Sequence, residues 1–149
     1  MLRGEKDVDA DGRIDRWEYF DADMNLERVG TSSASDGIED TWTWPAAPGA
    51  EGRVDRSGQR DRHVNRREFY RDGALTRVEH DTNGDGRIDR WDRYSGTVLR
   101  EAGFDTTFTH DRPDRRAIYD ARGAFERVEA DPEFDGTFVV VQGATAPPR

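Results

Sequence analysis

A chain of 149 residues is long enough for one ordinary domain or a short repeat array. Apolar residues make up 33% of it against roughly 45–50% in a typical globular chain, so a large hydrophobic core is excluded, while four Trp, four Tyr and seven Phe argue against simple disorder. A net charge of −9, with 22 Arg spread among 21 Asp, disfavours nucleic acid and favours cations; the lack of Cys excludes disulfides and thiolate metal sites.

In chain order, the opening "MLRGEKDVDA" is too polar for a leader, and no apolar run approaches a membrane span. The first acidic loop follows at once in "DVDADGRIDRWEYF", Asp7 to Phe20, so close to Met1 that a fragment or an unusual start is expected. A short aromatic run ends at the breaker "DADMN", and a return segment "LERV" follows at 26–29. The next units read "EDTWTW", "PAAPGA" and "EGRV", then "VNRREFY", "RDGA" and "LTRV". A second full acidic loop opens "DTNGDGRIDRWDRY" at Asp81 to Tyr94, followed by "SGT" and "LREA". "RRAIY", "DARGA" and "FERV" make a fifth unit, and the sixth stops after "TFVVV".

Aligned on the fifth loop position, the units place Asp11, Asp36, Asp61, Asp85, His110 and Asp135 in phase, 24 or 25 residues apart. The aromatic runs are too short for helices, and the Gly, Pro and Asn breakers read as hairpin turns. The expected fold is all-β: antiparallel β-hairpin repeats of about 25 residues, forming a twisted open sheet or a solenoid-like stack. One array over 1–143 is expected, with units near 7–31, 32–56, 57–80, 81–105, 106–130 and a truncated 131–143, then a tail over 144–149. Trp17 and Tyr19 share one strand face and Ile14 and Phe20 the other. The arginines beside Asp and Glu read as cross-strand partners that fix register.

The acidic loops carry the chemistry. Calcium takes six to eight oxygen ligands from a flexible loop. Asp7, Asp9 and Asp11, and likewise Asp81, Asn83 and Asp85, alternate so that their oxygens share one side of a tight coil, with Gly12 or Gly86 at the sharp turn. The carbonyls of Arg13 and Arg87 and the side chains of Asp15, Glu18, Asp89 and Asp92 complete the candidate ligand set. Crowded carboxylates repel one another, and a cation relieves that repulsion. Asx turns make similar loops without metal, so turn chemistry alone stays open.

Both segments resemble the calcium-binding loop of the EF-hand family, D-x-[DN]-x-[DN]-G-x5-E; Asp7–Glu18 matches it throughout, and Asp81–Asp92 has Asp in the last place. The flanks read as strands where that family has helices. Similar loops join strands in integrin-type propeller repeats and occur in thrombospondin type 3 repeats, and the hairpin units loosely resemble YD- or MORN-like repeats. The resemblance implies Ca2+ as the bound ion, with Asp15 and Asp89 taking more of the coordination where Glu18 and Asp92 point elsewhere. Units two, three and five, with Ser32, Ala34 and Asp36, Ser57, Gln59 and Asp61, and Thr106, Phe108 and His110 in the first, third and fifth places, have lost too many carboxylates. Asp131, Glu133 and Asp135 form a partial sixth site.

No catalytic constellation stands out: His63, His80 and His110 lack zinc-ligand spacing, and Ser32, Ser33 and Ser35 lack a nucleophile-elbow context. The expected function is a non-enzymatic calcium-binding repeat with a structural or interaction role, secreted or at the cell surface, where calcium is near millimolar. Two alternatives stand: a surface module for a glycan or protein using exposed Trp42 and Trp44, and a hydrolase using an Asp/Glu pair, marked by a raised carboxylate pKa.

Overall fold

The computed structural model describes residues 1–143; the expected tail over 144–149 lies outside the described residues. Regular structure among the described residues is all β. In chain order the strands are β1 (Leu2–Lys6), β2 (Arg16–Phe20), β3 (Leu26–Thr31), β4 (Thr41–Trp44), β5 (Glu51–Arg56) and β6 (Arg66–Arg71). They continue with β7 (Ala74–His80), β8 (Arg90–Ser95), β9 (Val98–Phe104), β10 (Arg115–Tyr119), β11 (Phe125–Ala130) and β12 (Val139–Gly143). The chain divides into two compact units, Met1–Gly73 and a second that begins at Ala74.

The first unit is an open antiparallel meander of β1 to β6, each strand paired with the next in chain order. The second is an open antiparallel meander of β7 to β12. Every even-numbered strand leaves an acidic loop and every odd-numbered strand leads back to one. The expected antiparallel hairpins are therefore present, and within each unit the acidic loops lie along one end of its strands. Gly73, Gly96 and Gly123 take positive φ in the hairpin turns, at 79°, 61° and 83°, a conformation that Gly adopts without steric cost.

Apolar burial is thin: Trp17, Tyr19, Val78 and Ala102 are the buried hydrophobic residues among those described. Trp17 and Tyr19 share the buried face of β2, as alternation requires. Ion pairs occupy much of the remaining interior. Glu68 of β6 accepts from Arg66 on its own strand at 2.7 Å and from Arg56 of β5 at 3.1 Å. Glu129 of β11 accepts from Arg127 on its own strand and Arg116 of β10. Burial works to raise the Glu68 pKa, but Arg56, Tyr70 and Arg66 outweigh it and hold the carboxyl at about 2. A buried carboxylate is tolerated only when paired and hydrogen-bonded in this way. The expected Arg–acid ladders are thus part of the interior as well as the surface.

Gly30 of β3 lies opposite Trp17 and Trp42. A Cβ there would lie 1.7 Å from Glu39 Oε1, and Glu39 is held in place by the Tyr19 hydroxyl, which donates to both carboxylate oxygens at 2.9 Å. The missing side chain makes room for a buried Tyr–Glu pair.

Candidate cation-binding loops

All six loops share one backbone template. The fourth residue takes positive φ in each: Ala10, Ser35, Arg60, Gly84, Phe108 and Phe134. A second positive φ follows two residues later at Gly12, Gly37, Arg62, Gly86 and Gly136, and three residues later at Asp111 in the fifth loop. The first side chain caps the coil from inside. Asp7 accepts from the amides of Asp11 and Gly12, Asp81 from Gly84 and Gly86, and Asp131 from Asp135 and Gly136. The fifth side chain accepts the amide two residues on, as Asp11 does from Arg13 and Asp85 from Arg87. This is Asx-turn geometry repeated along the chain.

The fifth loop requires a correction. Its first position is Asp105, not Thr106: Asp105 accepts from the amide of His110 five residues on, the contact that Asp7 makes with Gly12. Thr107 and Thr109 then take the third and fifth places. One extra residue lies between His110 and the closing Asp114, so aligning on the fifth position slipped the register by one.

In four loops a carboxylate at the ninth place, or the tenth in the fifth loop, closes the coil against the amide of the second residue; the Asn65 amide oxygen does so in the third, and the sixth has Pro132 and Val139 at these two places. Asp40 accepts from Ser33, Asp89 from Thr82 and Asp114 from Thr106. In these three loops the second residue also donates its hydroxyl to the same carboxylate, at 2.6, 2.7 and 2.8 Å. The first loop differs. Its second residue is Val8, and the buried Asp15 accepts only the Val8 amide in its loop, at 3.1 and 3.2 Å to its two oxygens. Asp15 therefore keeps acceptor capacity that the other closing aspartates have spent.

Asp7, Asp9 and Asp15 offer carboxylate oxygens within 4.8 Å of one another, the one such acidic group among the described residues. The other predicted ligands are placed as follows. Asp11 turns to the Arg13 amide. In the fourth loop, Asp85 accepts from the Asn83 side-chain amide at 3.1 Å and Asp89 is capped by Thr82. Glu18 lies on β2, paired with Lys6 at 3.1 Å and Arg16 at 3.0 Å; hydrogen bonds from Arg16 and Lys6 lower its pKa. Asp92 lies buried on β8 between His80 and Arg90; burial raises its pKa, and those two partners bring it below the ordinary value. Asp131 and Asp135 accept backbone amides within their own loop.

In the second loop a cation is already supplied by the protein. Arg60, the fourth residue of the third loop, donates Nε to Asp40 at 2.9 Å and forms a short ion pair with Asp36. Its guanidinium holds Asp36 far below the usual carboxylate range. The same position in the sixth loop is Phe134, which stacks on His110 of the fifth with ring centroids 4.0 Å apart. Over the first loop the equivalent residue is the small Ser35, and a hollow of about 320 Å³ remains, lined by Val8, Asp9, Asp15 and Ser35 among others. The identities of the second and fourth loop residues, not counted in a carboxylate motif, thus distinguish the loops.

Trp42 and Trp44, expected to be exposed, are half-buried. Arg53 stacks on Trp44 with its guanidinium 4.0 Å from a ring centroid. A separate cleft of about 460 Å³ lies beneath the 45–50 hairpin connection, with Trp44 and Tyr70 in its wall. No family model, curated protein or solved structure matches the chain.

Proposed function

We propose that this chain is a non-enzymatic repeat module whose first loop binds a hard divalent cation, calcium by its ligand chemistry, and that the ion stiffens the connection between neighbouring hairpins. The observation that carries this reading is the convergence of Asp7, Asp9 and Asp15, with Asp15 free of the hydroxyl cap found at Asp40, Asp89 and Asp114. Three carboxylates with oxygens within 4.8 Å of one another, two of them lining the hollow, repel each other until a cation neutralises them, and an all-oxygen set suits calcium. The fourth loop is the second candidate: Asn83 supplies an amide oxygen, but Thr82 competes for Asp89. Sites of this open kind bind with Kd on the order of 10⁻⁴–10⁻³ M, which fits a secreted or cell-surface setting. Resolved carboxylate shifts, such as those of Glu68, Asp92, Asp105 and Glu129, run downward, which suits ion pairs and loop caps better than the general acid a hydrolase needs.

Calorimetric titration with calcium tests the reading. Saturable binding is expected, abolished by Asp15→Asn. Val8→Thr is expected to weaken it about fivefold, the worth of one competing hydrogen bond of roughly 1 kcal/mol. Absence of heat, together with a melting curve indifferent to EDTA, would count against it. A second reading, a surface module for a glycan or peptide, is favoured by the Trp44–Tyr70 cleft. Quenching of Trp fluorescence by such a ligand would identify it.

A further inference from the structure

We propose that the hollow over the first loop is a socket for an arginine side chain of a partner protein, and that calcium and the guanidinium exclude one another there.

The chain contains the same arrangement with its occupant in place. Arg60, the fourth residue of the third loop, reaches back over the second loop. It pairs with Asp36 at the fifth place and donates Nε to Asp40 at the ninth, 2.9 Å away. One repeat earlier the fourth residue is Ser35, and the carboxylates at the fifth and ninth places are Asp11 and Asp15. Serine is too short to make that span, and the hollow of about 320 Å³ lies at the corresponding place, with Asp15 and Ser35 in its wall. The backbone is equivalent too: Ser35 has φ 50° and Arg60 has φ 59°.

The first loop has more need of an occupant than the second. Asp40 accepts from the Ser33 amide and hydroxyl and from the Thr41 hydroxyl, and it still takes Arg60. Asp15 is only 7% exposed and has the Val8 amide in its loop, with no hydroxyl at either place. Arg16, in the Thr41 place, also lines the hollow, but its Nε is directed to Glu18 on the strand at 3.0 Å. At the third place Asp9 lines the hollow, where the second loop has Ala34.

The walls suit the rest of an arginine. Val8 is 68% exposed and gives an apolar surface along which the methylene stem can lie while the head reaches Asp15. A planar guanidinium offers a carboxylate two parallel donors, which an ammonium does not. In the second unit the hollow over the fourth loop differs: its fourth-place residue is Phe108, and Asp89 beneath it already accepts the Thr82 hydroxyl. A net charge of −9 favours encounter with a basic partner. The socket stands on the Arg60 precedent; its exclusion by calcium rests on the cation reading above.

Titration of the isotope-labelled chain in EDTA, followed by nuclear magnetic resonance, tests this with N-acetyl-arginine amide as probe and N-acetyl-lysine amide as control. The arginine amide should shift the Val8, Asp15 and Ser35 signals saturably and bind several-fold more tightly than the lysine amide. Added calcium should reverse the shifts. Ser35→Arg should fill the hollow from within, raise the melting temperature by several degrees and abolish the response to both arginine amide and calcium. If that chain loses its β-sheet circular dichroism, Val8→Thr replaces it; its hydroxyl competes for Asp15 and should weaken the arginine amide several-fold. Calcium binding with no arginine response overturns the socket and spares the cation reading. An arginine response that calcium leaves unchanged overturns the exclusion; if calcium also gives no calorimetric heat, the cation reading falls and the socket stands. Equal binding of the lysine and arginine amides, or a folded Ser35→Arg chain that still takes the arginine amide, overturns the proposal.

Discussion

Arg60 shows how one side chain decides the chemistry of a loop it does not belong to. Its guanidinium bridges Asp36 and Asp40, two carboxylates that would otherwise face each other across the second coil. Asp40 is only 2% exposed, so it depends on its partners. Arg60→Gln should therefore lower the melting temperature by several degrees, read by circular dichroism, whereas Arg13→Gln on the exposed rim of the first loop should change it little. At the same scale, the absence of a hydroxyl on Val8 leaves Asp15 with spare acceptor capacity. A motif that counts acids registers neither residue. The Asp and Gly positions of the loops were legible in sequence, while the interloper from the next repeat was not, because its role exists only across the stack.

An element here is a hairpin plus the loop that feeds it, and the loop holds its shape whether or not it is rich in acids. Ser32 and Ser57 stand in the first place of the second and third loops, and the two positive-φ residues recur there as in the Asp-rich loops. Side-chain caps on backbone amides thus explain the repeated coil, and a cation is an addition to it at particular loops. Between hairpins, Gly30 couples β3 to the following loop through the Tyr19–Glu39 pair. Gly30→Ala should displace Glu39 and cost about 1–2 kcal/mol, the range for a lost charged hydrogen bond with its desolvation. Urea unfolding checks this, and because the Ala acts through Glu39, adding Glu39→Ala should cost much less than the two single changes summed.

Across the whole molecule, stability rests on paired carboxylates more than on apolar burial, and this makes it sensitive to acid. Burial opposes the charge on Glu68, Asp40, Asp92, Asp105 and Glu129, yet their donors hold every one of these pKa values below the ordinary range. A carboxyl with a lowered folded-state pKa stabilises fully above its unfolded value, and that contribution is lost as pH falls through the folded value. For Glu68 the window runs from 4.5 down to about 2, and the stake is on the order of 2–3 kcal/mol. Melting temperature should stay level near neutrality and fall steeply below pH 4.5. A profile flat to pH 2.5 would show that the interior does not depend on these pairs.

The sequence by itself determined the period, the two-strand unit and the all-β class, because repeats, turn residues and short aromatic runs act over a few neighbouring positions. It also marked the Arg–acid pairing, visible wherever Arg stands two residues before Asp or Glu on a strand. Tertiary structure alone decided which carboxylates meet. Asp7, Asp9 and Asp15 converge while Glu18 and Asp92 are taken up by basic partners on the sheet, because the strand beyond the coil carries the last motif position to the sheet, where Arg and Lys or His partners hold it. It decided the register of the fifth loop too, since the inserted residue leaves the 25-residue step from Asp89 to Asp114 in phase with the repeat and shows only in where the backbone amides point.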